Sequence, residues 1–323
     1  TSTNRSYLNG YTEVAGQAAD VVIANPNGIS VNGAGFINVP RVTLTTGVPQ
    51  IDTLGNLGGF DVRGGDISID GDGLNTGLQD ATSIYTHFLR LNAKLHAQDL
   101  DVALGVNQVD YPGRKIVSSS KSGVKRVLLD SSALGGMYAN KIVLVGTDQG
   151  LGMKLPPEVI ASSGDIQISS DGRLVLQKLD AQGDIRLASN QDIESTETVY
   201  SAGATAIDAG DRLDVKSGMI AAAGQISIDA KSVVNDGVLI AGLDADGAMN
   251  SRGRLEIRAG DIINRTEVIG TDTIYVEAGS VHNQGLFNAY NNLHISADSL
   301  FLSLIHISEP TRPRLVSRMP SSA

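Results

Sequence analysis

The sequence has no cysteine and no tryptophan, and only 4% of its 323 residues are aromatic. Without thiols there is no disulfide framework, no thiolate metal site and no cysteine nucleophile. The absence also fits a protein that crosses an oxidising compartment, where a stray thiol would mispair. So few large rings cannot fill several thick cores. Basic charge is short too, with 25 Lys and Arg against 35 Asp and Glu and a net charge of −10. That balance argues against a nucleic-acid partner, which needs a basic footprint, and against attraction to an anionic lipid surface. It reads as a surface kept apart by self-repulsion. No run approaches 18 apolar residues, so no transmembrane segment is expected. The opening "TSTNRSYLNG" has no initiator Met and no basic-then-apolar signal segment, which reads as a piece of a longer protein.

What is present is 37 Gly, with many β-branched residues, Asn and Asp. That composition suits thin stacked layers. In the second half, short alternating segments recur beside a Gly: "GDIQIS", "GDIRLA", "GQISIDA", "GRLEIRAG", "DTIYVEAG" and "NNLHISA". Their first apolar residues are Ile166, Ile185, Ile226, Leu255, Ile274 and Leu293. The steps are 19, 41, 29, 19 and 19 residues. The 41 is near two periods, and the 29 is one period plus the polar insertion "LDADGAMNSR", Leu243 to Arg252. Nine residues after Ile226, Leu255 and Ile274 stand Asn235, Asn264 and Asn283. A leucine-rich horseshoe requires a Leu-x-x-Leu-x-Leu frame that is missing here. The expected fold is all-β: a right-handed parallel β-helix (solenoid) with about 19–20 residues per coil. About 15 coils at 4.8 Å each would extend on the order of 70 Å. Asn235, Asn264 and Asn283 are expected to stack as a structural ladder at one interior corner, where an amide can satisfy its neighbour on the next coil.

The first half alternates less regularly. "VVIANP", "RVTLTTG", "GDISIDG" and "KIVLVGT" read as strands ended by Gly, Pro or Asn. Phe88 to Gly105 reads as two strands with a corner at Gln98-Asp99, where the alternation changes phase, although a helix over Thr86 to Leu95 also fits. The polar, basic stretch Val109 to Arg126 reads as a protruding loop. "VIANPNGISVNGAGFIN" holds a corner: Pro26 biases Asn25 to an extended backbone, and Asn27-Gly28 is a turn signal.

The chemical inventory is poor. His87, His96, His282 and His294 show no metal-ligand spacing. "DGDGLNTGLQD", from Asp70, departs from the EF-hand loop and reads as a turn. Asp208 and Asp211 could face one another across a corner, but a solvated turn explains them. No catalytic residue, metal site or cofactor is expected. The alternative is a polysaccharide-active β-helix enzyme, which would need two carboxylates and an aromatic face in one groove.

Leu302 to Ala323, "LSLIHISEPTRPRLVSRMPSSA", departs in Arg and Pro content from everything before it. It resembles the conceptual translation of a transposase-based sequencing adapter. Leaving it out removes three Arg and one Glu and brings the net charge to −12.

"GYTEVAGQAADVVIANPNGISVNGAGFINVPRVTLTTG" (Gly10 to Gly47), "LNAKLHAQDLDVALGVNQV" (Leu91 to Val109) and "LGGMYANKIVLVGTDQGLGMKL" (Leu134 to Leu155) together resemble the secretion domain of filamentous haemagglutinin-like exoproteins, a group that includes contact-dependent inhibition toxins. The second half is similar to the haemagglutinin repeats that follow it. The resemblance divides the chain into 1–157, the later part of the secretion domain; 158–301, the repeat β-helix; and 302–323, the adapter-like segment. It implies two-partner secretion: passage through the periplasm, then export by a dedicated outer-membrane β-barrel transporter to the bacterial cell surface or medium. Adhesin or toxin-stalk roles follow, with receptors on host or neighbouring cells as further partners. It also implies that Asn25, Pro26, Asn27, Gly28 and Ile29 form the secretion motif. Some relatives carry a Cys pair in the next turn; Val31 and Ala34 in "SVNGAGF" exclude that disulfide here.

Overall fold

The computed structural model describes residues 3–120 and 127–307, without the side chains of 118–120 and 303–307. Among them there is no helix, and so none long and apolar enough to cross a membrane. The chain is a parallel β-solenoid that divides into two compact units, Thr1–Leu174 and Val175–Ala323.

In the second unit the coils repeat closely. Ile185 pairs with Thr205, Thr205 with Ile226, Ile226 with Leu255, Leu255 with Ile274 and Ile274 with Leu293. The 41-residue step is therefore two coils, with Thr205 at the position that Ile or Leu fills elsewhere. The 29-residue step is one coil carrying a small hairpin, closed by the antiparallel bridge Leu243–Met249. Each strand buries alternate residues, as in Ile226–Asn235, where Ile226, Ile228, Ala230, Val233 and Asn235 turn inward. Like residues stack on like from coil to coil, so each layer closes the apolar face of the one before it. The strand Asn292–Ile307 continues this pairing past Leu302; residues 308–323 of the adapter-like segment lie outside the described residues.

The first unit is built on the same coils but interrupted twice. The strands read as "VVIANP", "RVTLTTG", "GDISIDG" and "KIVLVGT" are Val21–Ala24, Arg41–Thr45, Asp66–Thr86 and Lys141–Gly146. Phe88–Leu91 and Lys94–Leu104 are strands, with a register shift between Ala97 and Asp99 and no helix. After Thr45 and again after Leu104 the chain leaves the coil. The two excursions meet as a four-stranded antiparallel sheet, Ile116–Ser120, Val106–Asp110, Leu57–Val62 and Val48–Ile51 in spatial order. The stretch read as a protruding loop from Val109 thus begins as sheet, and its residues 121–126 lie outside the described residues. Phe60, Val62 and Val109 from this sheet pack on Tyr85 and Ala103 of the solenoid wall, with Phe60 and Tyr85 rings 6.1 Å apart.

The necks of the excursions are pinned by buried polar groups. Thr46 donates to the Gly64 carbonyl at 2.7 Å. Asp148 accepts the Val106 backbone N–H at 2.8 Å and pairs with His87 at 2.8 Å, both side chains being almost fully buried. Each such group would be costly to leave unpaired away from water.

Candidate functional site: the Asn-Pro-Asn-Gly corner

Asn25 to Gly28 form a tight turn between the strands Val21–Ala24 and Ile29–Ile37. The Gly28 N–H returns to the Asn25 carbonyl at 2.9 Å. Proline at the second position presets φ for such a turn, and Gly28 takes a φ of 104°, which an L side chain rarely adopts. The Asn25 Oδ1 accepts the Asn27 backbone N–H at 2.9 Å, an Asx turn inside the larger one. Pro26 and Asn27 are exposed, while Ile29 is wholly buried and anchors the following strand.

The corner also joins three successive coils. The Asn25 Nδ2 donates back to the Asn4 carbonyl at 3.0 Å and the Ser6 hydroxyl at 2.8 Å. Its backbone N–H donates forward to the Thr45 carbonyl at 2.9 Å. Two other asparagines of the same stretch do related work. Asn38, at φ 58°, donates back to the carbonyls of Val14 and Gly16, and the Asn32 Oδ1 accepts the Asp72 N–H from the coil ahead.

A second group, which nothing local in the sequence announces, sits behind Gly28. Arg5 spans from the first coil to Asp66, donating to both its carboxylate oxygens at 2.9 and 3.1 Å and to the Ile29 carbonyl at 2.7 Å. Arg90 donates to the same carboxylate at 2.7 Å. Burial pushes the Asp66 carboxyl up, but the hydrogen bonds and charges of Arg5 and Arg90 outweigh it and leave it below the ordinary carboxylate value. A Cβ on Gly28 would lie 2.8 Å from the Arg5 guanidinium and 2.9 Å from the Asp66 carbonyl. The glycine is thus required by both the turn and the ion cluster packed against it.

The three ladder asparagines lie in the second unit. Asn235, Asn264 and Asn283 occupy one register position on successive strands and are at most 1% exposed. Asn235 donates to the Asn264 Oδ1 at 2.8 Å, and Asn264 donates to the Asn283 Oδ1 at 2.7 Å. Asn283 donates to the Gly285 carbonyl at 2.9 Å. The row continues backwards through Val215 and Ser195.

The other candidates are placed as follows. Asp70 accepts from Asn92 at 2.7 Å, and Asp211 pairs with Lys231 at 2.7 Å on the surface. His96 stacks on Tyr138, His294 on Tyr275 and His282 on Phe301. Among the described residues no three His, Asp or Glu converge as metal ligands. A crevice of about 210 Å³ is lined by Asp99 and Asp101 but by no ring. A larger groove, lined by His96 and Tyr138, has no carboxylate in its lining. Neither combines what a polysaccharide-cleaving site requires. The geometry of the corner itself is that of a joint: it has hydrogen-bond donors and acceptors in fixed register and no activated nucleophile or acid–base pair.

Comparison with known proteins agrees in sequence and in fold. The TPS secretion domain family matches residues 1–176. A tRNA nuclease CdiA of Yersinia mollaretii is 38% identical over 87% of this chain and 10% of its own length. A 16S rRNA endonuclease CdiA of Enterobacter cloacae is 48% identical over 57% of this chain and 6% of its own. The crystal structure of a filamentous hemagglutinin secretion domain superposes with a TM-score of 0.51 at 28% identity, covering 67% of this chain and 72% of that one. The chain thus spans about a tenth or less of the length of these curated relatives.

Proposed function

Because the chain belongs to the TPS secretion domain family, in which the domain marks secreted exoproteins, we propose that it is the export-directing segment of a much larger surface protein, together with the first of the repeats that follow. The family match over residues 1–176 carries this reading. The transporter is a dedicated outer-membrane β-barrel, which receives the unfolded chain from the periplasm. The whole protein serves as an adhesin or as the stalk of a contact-dependent inhibition toxin, with receptors on host or neighbouring cells. The nuclease names of the CdiA relatives favour the toxin stalk. Any catalysis belongs to another part of such a protein; residues 1–301 supply export and scaffold.

Within this reading Asn25-Pro26-Asn27-Gly28-Ile29 acts through folding. Its bonds to Asn4, Ser6 and Thr45 register the first coils, and a coil that closes outside the cell cannot slide back through the pore. The test is secretion of the full-length exoprotein with and without its transporter, for wild type and Asn25→Ala. Export should require the transporter and fall in the variant. Transporter-independent export would sink the secretion claim. Wild-type export of an Asn25→Ala protein whose isolated domain is measurably destabilised would sink the role of folding.

A further inference from the structure

On the outer surface of the first unit runs a groove of about 630 Å³. One wall is the outward row Asn75, His96, Tyr138 and Ile160, in register on four successive strands. The other is formed by the corners that follow those strands, with Leu78, Asn140 and Ser162. No Asp, Glu, Lys or Arg lines it, although 19% of the chain is charged. A charged ligand would meet no counter-charge in the lining itself; beside it Lys94, 5.7 Å from the Tyr138 ring centroid, and Glu158, which accepts from the Tyr138 hydroxyl, carry opposite signs.

The polar groups are oriented. The Asn75 Oδ1 accepts the Gly77 N–H at 3.1 Å, and the Asn140 Oδ1 accepts the Ser162 hydroxyl at 2.9 Å. The Asn75 oxygen is held by its own corner and the Asn140 oxygen by Ser162 in the next coil, which leaves both Nδ2 groups to donate outward. The His96 ring is fixed by stacking on Tyr138 at 5.0 Å, and Tyr138 is fixed in turn by donating to Glu158 at 2.7 Å. Among the described residues, the His96 ring nitrogens and the two Nδ2 groups have no hydrogen-bond partner in the protein. Leu78, 90% exposed, adds an apolar edge.

We propose that this groove binds a neutral oligosaccharide lying along the direction of coil stacking. Its hydroxyls accept from Asn75 and Asn140 and exchange a hydrogen bond with His96, and an apolar sugar face rests on Leu78 and Ile160. The spacing favours a glycan over a peptide. Successive rows are about 4.8 Å apart, close to the length one pyranose adds to an extended chain, whereas side chains on one face of a peptide strand recur every ~6.7 Å. The backbone of the floor strands is also committed to the parallel ladder, so a peptide could not add as a strand.

The test is NMR titration of this chain with cellotetraose, maltotetraose and chitotetraose, beside a sulfated heparin tetrasaccharide and an uncharged tetrapeptide. At least one neutral sugar should shift the side-chain signals of Asn75, Asn140 and His96. Asn75→Asp and Asn140→Asp keep the oxygen that accepts each of these bonds and remove the outward donor. Together they should weaken that sugar at least tenfold with an unchanged thermal midpoint. Silence with all three neutral sugars overturns the proposal, as does a response only to the sulfated sugar or the peptide, or equal binding by the folded double variant. None of these outcomes bears on transporter dependence, so this inference and the secretion reading fail separately.

Discussion

The two units build the same coil and hold it in register by opposite means. In the second, one solution is repeated: Ile or Leu stacks on its counterpart, and Asn235, Asn264 and Asn283 link three strands through chemically identical bonds. In the first, apolar residues stack as well, as Ile29 on Ile67 and Ile142 on Ile166, but each polar joint is different. Asn25 reaches to Ser6, Arg5 to Asp66, Asn38 to Val14 and His87 to Asp148, and a separate antiparallel sheet is packed on the wall. A repeated device can add coils without limit, because each new layer meets the same surface. Unique joints fit one partner only and specify a particular set of coils. Each change below should separate the two devices.

The largest effect is expected at the middle of the ladder. Asn264→Ala removes a donor and an acceptor and leaves buried amide groups on Asn235 and Asn283 short of a partner, costing about 2–4 kcal/mol. Hydrogen exchange resolved by residue should show lost protection in strands Ile226–Asn235 and Thr273–Ala289, with the first unit unaffected. Equal loss in both units would mean that the devices are not separate.

Asn25→Ala comes next, at about 1–2 kcal/mol, since it loses the bonds to Asn4 and Ser6 and the Asx turn. Its corner is exposed at Pro26 and Asn27, so water replaces part of what is lost. Protection should fall around Ser6–Leu8 and Val21–Ala24 and persist in the second unit.

These two sites also mark how far the sequence could be read. The ladder was legible because a repeat shows its own register: three asparagines each stand nine residues after an apolar anchor, and burial then assigns their side chains to the interior. The 41-residue step signals two coils, but the anchor of the middle one is not legible, because Thr205 fills the position and the pattern of Ile and Leu skips from Ile185 to Ile226. In the first unit the Asn25 turn was legible from Pro26 and Gly28, but its partners were not. Arg5 and Asp66 are 61 residues apart, and only the folded register brings them together. The antiparallel sheet was not legible: the stretch from Val109 reads as a loop, and the other excursion gives no strand signal. Val48–Ile51 carries a proline, and its pairing with Leu57–Val62 answers to no solenoid period.

Acid should act on the Asp66 cluster of the first unit and leave the asparagine ladder untouched. The folded Asp66 carboxyl lies below its ordinary value, so the stabilisation it supplies is complete above about pH 4 and is lost as pH falls through the folded value. Asparagine does not titrate, so the ladder has no such dependence. Asp66→Asn should cost on the order of 1 kcal/mol at neutral pH, because the cluster is partly solvated. It should also flatten the acid limb of unfolding for the first unit. An unchanged acid limb in this variant would place the titrating group elsewhere.

The smallest change tests the ladder at its open end. Among the described residues the Asn235 Oδ1 is buried without a partner, while its Nδ2 is committed to Asn264, Thr266 and the Glu267 carbonyl, so the amide cannot simply turn over. The position behind it in the row is Val215, fully buried, and behind that Ser195. Replacing a core valine by threonine normally costs stability, because the hydroxyl finds no partner. Here the new hydroxyl has a waiting acceptor in Asn235, and Val215→Thr should be neutral to within about 0.5 kcal/mol, the gained bond offsetting the lost methyl. Val215→Ala, which removes volume and pairs nothing, should cost about 1–3 kcal/mol by comparison. If threonine proved as damaging as alanine, the hydroxyl would not reach Asn235. The ladder would then begin at Asn235 because nothing behind it can be joined, rather than because valine interrupts a row otherwise open to extension.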